Sequence, residues 1–165
     1  MQKRRILLGA AALVLVLGGW YAFRPERLFV DQTVNESFDV TPASGTGSPA
    51  SPQVVLAGQF HSNAHETHGT ATIYQSAARQ RTLRLTDFAT SNGPDVRVYL
   101  VAAADVNDDA TVKRAGFIEL GALKGNQGDQ NYDVPADVDL SKYRAVTIWC
   151  RRFSVNFGTA PLGTM

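Results

Sequence analysis

Val146-Thr147-Ile148-Trp149-Cys150 and, after two arginines, Phe153-Ser154-Val155-Asn156-Phe157 decide the fold of this chain. In the first run Val146, Ile148 and Cys150 alternate with Thr147 and Trp149. In the second, Phe153, Val155 and Phe157 alternate with Ser154 and Asn156. A strand sends successive side chains to opposite faces, so a period of two reads as half-buried β-structure. The same period recurs upstream at Ala71 and Ile73, at Leu83 and Leu85, and at Val96, Val98 and Leu100. Between these runs lie Ser91-Asn92-Gly93-Pro94, a polar stretch from Asp105 to Lys113, and Lys124-Gly125-Asn126-Gln127-Gly128, all with turn or loop chemistry. Within the last of these, Gly125 to Gly128 reads as a hairpin turn. From Val54 onward no amphipathic stretch reaches the length of a stable helix, and no internal repeat is present. Short strands with frequent turn signals predict an all-β domain, an antiparallel β-sandwich over residues 53–165.

Two segments precede it. Lys3, Arg4 and Arg5 open onto Ile6–Phe23, which carries no charge. As a helix that run is roughly 27 Å long, close to the hydrocarbon thickness of a bilayer. Trp20 and Tyr21 suit a membrane interface, and no small-x-small cleavage site is visible among Trp20, Tyr21 and Phe23. Residues 1–23 are therefore expected to be a single-pass signal anchor at the cell membrane, with the domain outside the cytoplasm. The alternative is a cleaved signal peptide and a secreted or periplasmic protein. Residues 24–52, ending in the Pro-, Gly- and Ser-rich run from Thr41 to Pro52, read as a disordered linker.

The chain has 165 residues and a net charge of +1, which gives no electrostatic footprint for nucleic acid. Asp105-Val106-Asn107-Asp108-Asp109 begins like a calcium loop, but Ala110 and Gly116 stand where glycine and glutamate are required, so a solvated loop is expected. No Gly-x-Ser-x-Gly elbow is present, and nothing implies catalysis of a small-molecule reaction. A copper site of the cupredoxin type lacks its histidine after Cys150, and its only later methionine is Met165.

Cys150 is the single cysteine. Exported domains ordinarily pair their cysteines, so this one is packing, an intermolecular link or a thiol with its own chemistry. Its phase with Val146 and Ile148 points it to the apolar face, whereas Arg151 and Arg152 offer cations that could lower its pKa. All three histidines fall in one stretch, His61 to His68, and imidazoles bind zinc, copper and haem iron. His61, His65 and His68 could form a metal site or simply line a polar loop.

Several pieces together resemble the DM13 domain. They are Gly58-Gln59-Phe60, His65 four residues before Gly69, Thr70 to Tyr74, Leu83 to Phe88, Gly93 to Leu100, Leu123 to Tyr132, Trp149-Cys150 and Phe153 to Gly158. The resemblance implies a β-sandwich with a proposed role in electron transfer. It places the family's cysteine, a redox or cofactor-ligating candidate, on Cys150 and the family's histidine on His65. His61, His68 and Trp149 are further candidates, and the cofactor is left open between haem and a metal ion. The expected partners are the membrane, through the N-terminal helix, and a redox protein. The rival expectation is a non-catalytic envelope binding or structural module with Cys150 as core.

Overall fold

The computed structural model describes residues 2–23, 30–38 and 52–164, with the side chains of 9–21 in the N-terminal helix. Two antiparallel sheets form a sandwich. One has four strands, β1 (Gln53–Gln59), β3 (His68–Gln75), β4 (Arg81–Ala89) and β7 (Gln130–Val134), in the order β1-β3-β4-β7. The other has five, β2 (His61–Ser62), β5 (Val96–Val101), β6 (Phe117–Ala122), β8 (Ala145–Cys150) and β9 (Val155–Pro161), in the order β2-β9-β8-β5-β6.

The alternation predicts which side chains meet. Ala71, Ile73, Leu83 and Leu85 from the first sheet and Val98, Leu100, Val146, Ile148 and Cys150 from the second share one core, each fully buried. The five-stranded sheet is covered on its other face too. Tyr99, Val101, Ala145 and Trp149 pack there with Val106 and Val112. Val112 comes from a helix that periodicity missed, α2 (Asp109–Ala115), too short to show a repeat. Asp108 caps it, accepting from the Thr111 amide at 2.6 Å. The stretch expected to be a solvated loop is thus partly core: Val106 is buried, and Asp109 accepts from the Asn156 amide at 2.7 Å.

Two local expectations are corrected. Phe153 is exposed at the tip of the turn Arg151–Ser154, and β9 starts at Val155; Ser154 has a left-handed backbone (φ 57°) that closes the turn. Gly125–Gly128 is not a hairpin turn, because β6 and β7 belong to different sheets and the chain crosses between them there.

Residues 30–38 lie inside the stretch that composition reads as linker, yet they run extended along that crossing. The Val34 and Glu36 amides donate to the carbonyls of Gln127 and Asp129 at 2.9 Å each, and Thr33 forms a parallel bridge with Gln127. Residues 24–29 and 39–51 of the expected linker lie outside the described residues.

Helix α1 spans Gln2–Phe23. Leu13, Val14, Leu15, Val16 and Leu17 are all exposed, and five consecutive residues cover every side of a helix. Among the described residues no helix is long and apolar enough to cross a membrane. The structure thus does not show the anchor expected from the sequence.

Candidate functional site

Cys150 ends β8, immediately before the Arg151–Ser154 turn, so it lies at one end of the sandwich. Its ladder partners are Val96 on β5 and Val155 on β9, and its side chain is fully buried in the core. Val96 also lines a cleft of about 620 Å³ at that end, walled by residues 30–32, the 91–95 loop and the crossing at 122–126. Gly93 lies so close over Val96 and Phe157 that a Cβ there would press on both side chains. Val96 therefore links the thiol's strand to the cleft.

The charges around this end are already committed. The Nε atoms of Arg97 and Arg151 donate to Asp95 at 2.7 and 2.9 Å, and Glu119 accepts from Arg97 Nη1 at 3.0 Å. Burial pushes the Asp95 carboxyl up, but hydrogen bonds and positive charge from Arg97 and Arg151 outweigh it and hold it below the usual carboxylate range. The Arg151 guanidinium, which the sequence offers as an activator of the thiol, is engaged by these acids.

The three histidines go to three places. His61, on β2, pairs through Nε2 with Asp105 Oδ1 at 2.9 Å. That contact, the Val106 amide and Asn107 together hold the Asp105 carboxyl low although burial pushes it up. His68 is exposed at the start of β3 in the opposite sheet, opposite Ala89. His65 sits in the loop between β2 and β3. The Phe157 carbonyl accepts from the amides of Asn63 at 2.9 Å and His65 at 3.2 Å, which lays the imidazole against the Phe157 ring with centroids 3.9 Å apart. His65 thereby meets the core cluster that contains Cys150, through Phe157. Among the described residues no hydrogen bond joins it to the thiol. Trp149 points to the opposite face of its sheet, where it stacks near Tyr99 at 6.2 Å, with Lys113 5.9 Å from its ring centroid.

These positions decide what the site can hold. No group of three or more His, Cys, Asp or Glu side chains able to hold a metal ion occurs among the described residues. Cys150 is enclosed by aliphatic and aromatic neighbours, and the histidines are dispersed. This arrangement does not fit a metal ion or a haem ligated by Cys150 with His65. The sequence gives no direct signal for the Asp95–Arg97–Glu119–Arg151 network, because its members come from the loop before β5, from β5 and β6, and from the turn after β8. Gly93-Pro94-Asp95 is its one visible trace.

The family model described as electron transfer DM13 matches residues 59–162. No curated protein and no solved structure matches the chain. The match takes in Cys150, His65, the cleft's 91–97 and 122–126 walls and every strand after β1, and on this basis the chain belongs to the DM13 electron-transfer family.

Proposed function

We propose that this chain is an electron-transfer domain held outside the cytoplasm by α1, with Cys150 as its redox-active residue. The observation that carries the reading is the place of Cys150: the one cysteine ends a central strand whose ladder partner, Val96, lines a cleft of about 620 Å³ at that end. The family match supports the electron-transfer part, and an uncharged Ile6–Phe23 run, apolar on every described side, supports the tether.

The chemistry follows from there being one cysteine. Oxidation to a disulfide must take its second sulfur from another molecule. The Cys150 thiol gives up its proton, and its thiolate attacks one sulfur of a low-molecular-weight or partner disulfide. The new S–S bond forms as the old one breaks, and the departing thiolate takes up a proton. Cys150 is oxidised, and the partner disulfide is reduced, its departing sulfur leaving as a thiol. His65, against Phe157, acts as a positioning group for that end of β9.

A second reading is favoured by the complete burial of Cys150: an envelope binding module in which the sulfur is core. The full chain in detergent, incubated with oxidised glutathione under native conditions, separates the two. Electron transfer through Cys150 requires a mixed disulfide at that residue, seen by mass spectrometry and reversed by reduced glutathione. Failure to form the adduct, or an adduct that forms only as fast as the domain opens as a whole, would leave the packing reading. Cell fractionation tests the tether: loss of residues 1–23 should release the domain from membranes.

A further inference from the structure

Residues 30–38 occupy a groove that has the marks of a binding site. Val34, Glu36 and Phe38 turn inward, half-buried, and alternate with exposed Thr33, Asn35 and Ser37. The groove meets the segment's backbone as well as its side chains. Besides the Val34 and Glu36 amides, Gln32 donates to Asn126 Oδ1 at 2.7 Å, and Arg84 Nη1 donates to the Glu36 carbonyl at 3.1 Å. The floor has two glycines where the segment passes closest. A Cβ at Gly125 would overlap the Gln32 carbonyl, and one at Gly128 would overlap that of Val34.

Two pockets read side chains. The Glu36 carboxylate accepts from Lys124 Nζ at 2.7 and 2.8 Å and from the Asn131 amide at 2.7 Å. Phe38 lies 4.6 Å from the Tyr74 ring, with the Arg84 guanidinium 5.6 Å from its own centroid. Asn126, a buried amide, has Asp31 and Gln32 of the segment as two of its partners. Pairing backbone to backbone while pockets select alternate side chains is how a sheet edge recognises an extended peptide.

We propose that this groove is a peptide-binding site, filled by the chain's own residues 30–38, that clips the α1 side of the protein to the domain independently of the covalent path through 39–51. The chemistry it selects is an extended segment with a carboxylate two residues before an aromatic. Because residues 30–32 also wall the cleft above Val96, release of the segment from the groove would open the cleft.

The test uses the full chain in detergent with a protease site introduced between residues 41 and 50. After cutting, the two fragments should migrate together at micromolar concentration. Excess synthetic peptide of sequence 30–38 should release the α1 fragment. The same peptide carrying Glu36→Gln should need a concentration about tenfold higher, the difference between a charge-assisted and a neutral hydrogen bond. Gly125→Ala, which places a methyl group in the path of the Gln32 carbonyl, should let the cut fragments part. Separation of the cut parent chain would overturn the proposal. So would continued association of the cut Gly125→Ala chain, provided its far-ultraviolet circular dichroism matches the parent, since something other than the groove would then be holding the fragments.

Discussion

Replacing Cys150 by serine and, separately, by valine tests the environment of the thiol. The side chain has no exposed surface, and its strand is paired on one side with Val96 and on the other with Val155. The cluster around it is built of apolar side chains. Cys150→Ser therefore buries a hydroxyl without a free partner, at a cost of about 1–3 kcal/mol. Cys150→Val keeps the surface apolar and adds roughly one methyl group, a change cores tolerate for under about 1.5 kcal/mol. For a domain of this size each kcal/mol moves Tm by about 4 °C, so the serine variant should melt about 4–12 °C below the parent and the valine variant close to it. Urea unfolding followed by tryptophan fluorescence gives the same order, with Trp149 as the buried reporter. If serine is as stable as valine, the thiol sits in a polar or wetted pocket and the core assignment is wrong. Cys150→Val then serves as the functional control: folded, and without disulfide exchange if Cys150 carries it.

Asp95 is held below the ordinary carboxylate range, so its contribution is present above about pH 4 and is lost as pH falls through the folded value; Asp95→Asn should flatten the acid limb of urea midpoints below about pH 4. Tyr132→Phe removes the hydroxyl that donates to Gln130 Oε1 at 2.8 Å and accepts from the Lys124 amide at 3.2 Å; chemical denaturation should show a loss of about 1–3 kcal/mol. The same tyrosine's pKa is raised by burial, so the parent loses stability as pH climbs above about 10 and Tyr132→Phe should lack that alkaline loss. Gly69→Ala forces a side chain onto a backbone at φ 113° and against Phe88 Cα and the Thr86 and Asp87 carbonyls, at a cost of roughly 2 kcal/mol or more in calorimetry.

The sandwich was legible because its central strands are patterned by burial alone. Val96, Val98 and Leu100 alternate cleanly because one face meets the core and the other a second, smaller apolar cluster or polar surface. The pattern failed where a residue's role depends on a distant partner. Val34, Glu36 and Phe38 also alternate, but a carboxylate in the middle of an inward face reads as polar until Lys124, 88 residues away, supplies its counter-charge. Phe153 extends the period by one residue into a turn, since periodicity carries no sign of Ser154's left-handed backbone. The histidines are close in sequence and apart in space because a loop separates strands of different sheets. Of the candidate site, the residues Cys150 and His65 were visible from the family pattern. The intervening Phe157 ring, and the ion pairs that engage Arg151, belong to the tertiary structure.

All six residues of β8 are buried, with a strand on either side and cover on both faces. Amides in such a strand exchange with solvent only when the domain opens as a whole, so their protection measures global stability. The same event governs any covalent encounter at Cys150 that needs the sulfur to meet solvent. Disulfide exchange there is then coupled to the opening equilibrium, and a remote change that destabilises the fold, such as Gly69→Ala, should accelerate it in proportion to the lost protection. If the sulfur is core alone, deuterium uptake at Trp149 and glutathione adduct formation at Cys150 rise together; electron transfer by the folded domain forms the adduct without a matching rise in uptake.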